Sequence, residues 1–193
     1  MNLDILYVIA YSYLLGSIPF GLIITKFFLG KDIRNIGSGN IGTTNVLRTG
    51  KKSLAAATLL FDVLKGYFSI LITYNFFIDL IYLSALICFI GHVFPVWLKF
   101  KGGKGVATYL GVILGISFIS AIVFGITWLV MTIIFRYSSL SSIFGSMSVW
   151  LYSIYFSNES QSYLLFFLFI FIFFTHKENI IRLKNSKETK IKL

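Results

Sequence analysis

The sequence predicts an all-α polytopic membrane protein with seven transmembrane helices, several of them short. Three observations carry that expectation. Apolar residues make up 57% of the 193 and charged residues only 12%, and mean hydropathy is +0.86, above the ordinary soluble range. The apolar residues gather in long runs, near 5–25, 53–74, 78–98, 106–135, 143–156 and 163–175, to be set against the ~20 residues a helix needs to cross a bilayer. Basic residues occupy some connections between these runs and avoid the others, as expected when positive loops stay on one side of a membrane.

The first run follows Asp4 rather than a basic stretch, and no small-residue cleavage site comes after it, so a retained helix is expected and not a signal peptide. The next connection holds Lys26, Lys31, Arg34, Arg48, Lys51 and Lys52; later ones hold Lys99, Lys101 and Lys104, then Arg136, then six bases from Lys177 to Lys192. The connections carrying Asp79 and Glu159 have no base. Basic loops read as cytoplasmic therefore put the N-terminus outside and the C-terminus inside. Residues 106–135 carry no charge over 30 positions, about 45 Å as one helix against a ~30 Å core. Both its ends are basic, so an even number of crossings is required, and two short helices meet that requirement. Within it, Gly111 and Gly115 form a small-xxx-small pair suited to close helix packing.

Two prolines and no low-complexity linker point to a single domain over 1–193, and the lone Cys88 excludes an internal disulfide framework or a cysteine-ligated metal site. A net charge of +10 raises nucleic acid as a partner, but the confinement of the bases to alternate loops accounts for it. No nucleic-acid partner is expected.

Three polar clusters then fall on the cytoplasmic side. The first, SGNIGTTNVLR at 38–48, follows Gly37 and satisfies G-x-G-x-x-G. No βαβ unit surrounds it, and Thr43 stands where a phosphate-binding loop needs lysine, so nucleotide binding is excluded. What remains is an anion-suited stretch: glycines that can expose backbone N–H groups, side-chain donors at Ser38, Thr43, Thr44 and Asn45, and the fork of Arg48. The second, GHVFPVWLKFKGGKG at 91–105, sets Lys101 and Lys104 around Gly102 and Gly103, a turn expected to expose amides. The third, HKENIIRL at 176–183, places His176 and Asn179 on one helical face. Six serines over 137–148 form a weaker contributor, and Asp62 with Lys65 reads as a mutually neutralising intramembrane pair.

Taken together these segments resemble the membrane-integral acyl-phosphate:glycerol-3-phosphate acyltransferase family of bacteria, over nearly the whole chain. GSIPFG at 16–21 is similar to the family's first helix, SGNIGTTNVLR to its first motif, Asp62 with Lys65-Gly66 to its second helix, HVFPVWLKFKGGKG to its second motif, RYSSLSS at 136–142 to its serine segment, and HKENIIRL to its third motif. Thr43 replaces a usual alanine, and Ser186 a usual glycine ahead of Glu188. The resemblance implies transfer of a fatty acyl group from acyl phosphate to the 1-hydroxyl of sn-glycerol 3-phosphate, yielding lysophosphatidic acid and phosphate, in the bacterial cytoplasmic (inner) membrane with the site at the cytoplasmic face. It implies no cofactor, no metal and no obligate protein partner; membrane lipid is the remaining partner. On that basis the expected catalytic residues are Ser38, Arg48, Lys104, His176 and Asn179. The expected substrate-binding residues are Gly39, Asn40, Gly42, Thr44, Asn45, Lys101, Gly102, Gly103 and Ser142. A small-anion transporter or channel is the alternative, but such proteins place discriminating groups near the bilayer midplane, often in repeated halves, and no repeat is seen.

Overall fold

A computed structural model describes residues 3–191, and among them no strand occurs. The first apolar run forms α1 (Leu3–Ser17) and α2 (Phe20–Leu29). They are separated at Pro19, whose ring supplies no N–H to continue a helix. Gly30, in the left-handed conformation (φ 62°), ends α2 by donating its N–H to the Lys26 carbonyl. A short α3 (Thr43–Leu47) precedes α4 (Lys52–Phe76) and α5 (Ile81–Val93).

The charge-free segment 106–135 is two helices, α6 (Val106–Ile116) and α7 (Phe118–Phe135). They part at Ser117, which is extended and caps α7 by accepting from the Ser120 N–H. The remainder is α8 (Ser138–Phe156), α9 (Glu159–Thr175) and α10 (Lys177–Lys184).

Four stretches are long and apolar enough to cross a membrane: Leu3–Leu29, Lys52–Phe76, Ile78–Leu98 and Phe118–Phe135. A fifth is added if α9 and α10, bent by 57°, count as one span. The difference from the seven expected lies in α6, α8 and α9. At 11 residues, α6 reaches only about 16 Å; α8 is diluted by serines, and α9 has 17 residues. The chain is thus an all-helical, multi-pass membrane protein, with apolar side chains such as Ile126, Leu129 and Ile133 left exposed on α7.

The described residues cluster into two compact units that divide between Ile116 and Ser117. In the first, α4 packs on α6 and α1 on α5, with α2 and α3 against α4. Glycine makes the α4–α6 contact possible: Gly111 abuts the Val63 carbonyl and Gly66 the Thr108 carbonyl, so a side chain at either would meet backbone. Buried hydroxyls join three of these helices, Ser84 bonding both Ser12 and Ser69 at 2.9 Å. In the second unit α7 packs on α8 and α8 on α9. There Trp150 stacks on Phe169 (5.8 Å between rings), and the Thr132 hydroxyl donates to Ser141 at 2.8 Å.

Candidate active site

In the first unit the polar stretch after α2 is a folded loop with a core of its own. Ile33, Ile41 and Val46 are buried together with Leu22, Ala55 and Leu98. Leu98 belongs to the second polar cluster, so the first two clusters share one apolar floor. At the loop's entry Asp32 takes Arg34 in a two-point ion pair, Nε to Oδ1 at 3.0 Å and Nη2 to Oδ2 at 2.6 Å. The guanidinium's hydrogen bonds hold the Asp32 carboxyl down at about 2.

Asn45 is the hub of this loop. Buried to 2% exposure, its Nδ2 donates to the carbonyls of Ile33 (3.0 Å), Ile36 (2.9 Å) and Asn40 (2.7 Å), and its Oδ1 accepts the Ser38 N–H at 3.0 Å. Asn40 Oδ1 in turn accepts the Gly42 N–H at 2.9 Å, and the Gly39 N–H donates to Ile36. The backbone N–H groups of Ser38, Gly39 and Gly42 are therefore engaged inside the loop, where the sequence suggested amides open to an anion.

Positive φ at Gly37 (58°) and Gly39 (70°) lets the chain turn tightly enough to make these bonds. The Arg48 side chain folds over Gly37, where an added methyl would stand 2.8 Å from its Cδ. Ser38, Thr44 and Arg48 are exposed on the outer side of this frame.

The second cluster is equally ordered. Val96–Leu98 makes a single 3-10 turn, and Lys99 and Phe100 both take left-handed φ (51° and 60°). The Gly102 N–H donates to Val93 O (3.0 Å) and the Gly103 N–H to His92 O (3.1 Å). The expectation of exposed amides at these glycines is thus corrected: their small size lets the loop lie directly on the end of α5, since a side chain at Gly102 would overlap the His92 carbonyl. Lys101 is exposed and Lys104 half-buried, with buried Gly103 beside it. Beneath lies a cluster that sequence reasoning saw only in part. Asp62 and Lys65 pair at 2.8 Å, as expected, and Lys65 also reaches His92 Nδ1 at 2.9 Å.

In the second unit the chain bends between α9 and α10 at His176. His176 is buried, and its Nδ1 lies 2.8 Å from the Ile172 carbonyl. A carbonyl only accepts, so Nδ1 carries the proton, and Nε2 holds the lone pair in the neutral ring. Asn179, also buried, donates through Nδ2 to Glu188 Oε1. Glu188 further accepts from Ser139 Oγ (2.9 Å) and Arg182 Nε (2.7 Å), tying the C-terminal tail to α8 and α10. Ser142 is buried, donates to the Ser138 carbonyl at 2.8 Å and accepts from Trp128 Nε1 at 3.3 Å. Sequence reasoning singled out neither Glu188 nor Ser139; the signal for both was an acid in an otherwise basic tail and a serine run needing partners.

Burial pushes the Glu188 carboxyl upward, but hydrogen bonds from Asn179, Arg182 and Ser139 outweigh it and hold the group below its ordinary range. Its folded value therefore lies below its unfolded value of ~4.3. The stabilisation is complete above that unfolded value and is lost as pH falls through the folded one. Acidification through that folded value should free the tail to proteolysis in the native protein, and Glu188→Gln should remove that pH dependence while leaving the tail loose at neutral pH.

Ser186 adopts φ 55°, so the position that resembles a family glycine makes the left-handed turn with a side chain in place. Ser186→Gly should raise stability by about 0.5 kcal/mol, the ~1–2 kcal/mol left-handed cost less ~0.5–1 for glycine's entropy. A small upward shift in Tm with unchanged turnover would show it.

The pattern of segments has counterparts among known proteins. A profile described as glycerol-3-phosphate acyltransferase matches residues 6–186. A glycerol-3-phosphate acyltransferase of Pelagibacter ubique is 54% identical over 94% of this chain and 95% of its own length. One from Mesorhizobium japonicum is 48% identical over 99% and 98%. Among solved structures, the integral membrane glycerol 3-phosphate acyltransferase PlsY in its glycerol 3-phosphate form superposes with a TM-score of 0.92 at 37% identity, covering 98% of this chain and 96% of that one. Its lysophosphatidic acid form gives 0.89 at 35% identity with the same coverage. With similarity running from the first helix to the tail at Ser186, the chain belongs to the glycerol-3-phosphate acyltransferase family.

Proposed function

We propose that this protein transfers a fatty acyl group from acyl phosphate to the 1-hydroxyl of sn-glycerol 3-phosphate, releasing inorganic phosphate and lysophosphatidic acid. The observation that supports the reading is the shared apolar floor of the first two polar clusters: Ile41 and Val46 lie in the stretch that carries Ser38 and Arg48, and Leu98 in the one that carries Lys101 and Lys104. Both substrates bear phosphate, so two segments that carry three cations over one apolar floor suit them.

The hydroxyl oxygen attacks the acyl carbon, the bond from that carbon to the phosphate oxygen breaks, and charge grows on the departing phosphate. Arg48 and Lys104 neutralise that charge, an effect commonly worth several kcal/mol of barrier. Ser38 and Thr44 donate hydroxyl hydrogen bonds beside them. Gly39, Asn40, Gly42 and Asn45 shape the loop that presents these groups. Lys101 takes the phosphate of glycerol 3-phosphate, with Gly102 and Gly103 setting its height. His176, Asn179 and Ser142 are assigned to positioning the acceptor. The proton passes to the donor's own phosphate. A backbone carbonyl behind Nδ1 stabilises an imidazolium less than the carboxylate of a catalytic triad would, and an activated donor lets positioning carry much of the rate.

The same reading gives one acyltransferase domain of seven membrane crossings, N-terminus outside and C-terminus cytoplasmic, in the bacterial inner membrane, working without cofactor or obligate partner. The test is donor choice. Purified protein in lipid should form labelled lysophosphatidic acid from glycerol 3-phosphate with palmitoyl phosphate and none with palmitoyl-CoA; product from the thioester would overturn the donor assignment. His176→Ala should retain more of kcat than Arg48→Ala or Lys104→Ala, and the reverse order would make His176 a general base.

A further inference from the structure

The buried ions of the first unit have no part in the reading above. Asp62 and Lys65 are each 2% exposed at the side chain, one turn apart on α4. The Lys65 ammonium sits 2.8 Å from Asp62 Oδ1, 2.7 Å from the Ile18 carbonyl and 2.9 Å from His92 Nδ1. An ammonium has three N–H donors and no acceptor; here the Ile18 carbonyl and His92 Nδ1 accept two of them, and the Asp62 carboxylate stands beside it as the charge partner. The Ile18 carbonyl lies at the break before Pro19, where it also accepts the Phe20 N–H.

Two consequences follow for His92. Its Nδ1 accepts, so its ring proton is on Nε2, and the ring is held in one orientation by a lysine that is itself fixed by Asp62 and the Ile18 carbonyl. Its Nε2 edge lies against Gly103, where a methyl group would overlap Nε2. The His92 carbonyl meanwhile accepts the Gly103 N–H, and the adjoining Val93 carbonyl the Gly102 N–H. The imidazole and backbone at His92 thus hold opposite aspects of one glycine, and the next residue is Lys104. An apolar side chain could fill this volume without the desolvation cost of buried charges; what the ions add is direction.

We propose that His92, oriented by the Lys65–Asp62 pair, is a positioning residue that fixes the Gly102–Gly103 turn and so the place of the Lys104 ammonium at the departing phosphate. This rests on the role given to Lys104 above. Because Lys104 acts on charge that develops in the transition state, loosening its support lowers kcat and leaves the KM for glycerol 3-phosphate nearly unchanged.

The test uses His92→Asn, which keeps an acceptor near the Nδ1 position for Lys65 but removes the ring edge at Gly103. Gly103→Ala, which disturbs the same contact from the loop side and leaves every buried charge paired, serves should His92→Asn not fold. Each is measured alone and combined with Lys104→Gln, in purified full-length protein of monodisperse elution, with palmitoyl phosphate and glycerol 3-phosphate. The expected result is a 10- to 100-fold loss of kcat with KM within threefold, and no more than a twofold further loss in the Lys104→Gln background, since residues acting as a unit are not additive. A folded single variant with unchanged kcat, or an equal loss in both backgrounds, would overturn the proposal. Full turnover in Lys104→Gln alone would instead remove the role of Lys104, a separate failure.

Discussion

Arg48→Ala should lower kcat/KM by about 10³-fold, the upper range for removing one preorganised donor to a developing oxyanion. Arg48 caps α3, and its side chain is led outward over Gly37 by the tight approach described above. The guanidinium is exposed and makes none of the bonds that hold the loop together, so its removal should leave Tm within a degree or two. Arg48→Lys should recover only part of the loss, because a point charge does not reproduce a two-pronged contact to phosphate oxygens. Steady-state kinetics beside thermal unfolding in detergent separates the two effects. A variant with normal turnover would remove Arg48 from the chemistry.

Asn45→Ala should be comparably damaging by a different route. Deleting the amide strips the Ser38 N–H and three carbonyls of a buried partner. Leaving such groups unpaired costs ~1–3 kcal/mol each, and water entering the opened loop offsets part of this, so a loss of about 3 kcal/mol is expected. Turnover should fall about 10²-fold, since Ser38 and Arg48 would drift by an ångström or more from their working positions. Asn45→Asp should not rescue, because it keeps the acceptor, loses the donors and buries a charge against carbonyl oxygens. Both variants should lower Tm, which distinguishes them from Arg48→Ala.

The contrast between Arg48 and Asn45 shows what the sequence could and could not disclose. Both stand in one polar run, and residue type alone recommends both as phosphate ligands. The Asn45 amide, however, is spent on the loop's own carbonyls, because a buried turn must satisfy its backbone before it can bind anything. The same competition explains Gly102 and Gly103, whose N–H groups close onto the end of α5. Local sequence cannot reveal such bonds, since their partners lie 5 to 12 residues away in the loop or on a preceding helix.

Helical organisation was more accessible, because its signals are length and charge. The split of 106–135 followed from the excess of helix length over bilayer thickness, and it occurs at Ser117, a residue able to cap the following helix. The pairing of Asp62 with Lys65 followed from intramembrane charge. The third member, His92, escaped because a histidine 27 positions on gives no periodic signal. Glu188 was passed over for a similar reason: its partners Asn179, Arg182 and Ser139 are assembled only when the tail folds back.

The central claim is that acyl phosphate is the donor and glycerol 3-phosphate the acceptor, and phosphate release measures both at once. Purified protein in lipid, supplied with palmitoyl phosphate, should release inorganic phosphate only when glycerol 3-phosphate is present, mole for mole with lysophosphatidic acid. Release independent of glycerol 3-phosphate, or none with both substrates and folded protein present, would contradict the account.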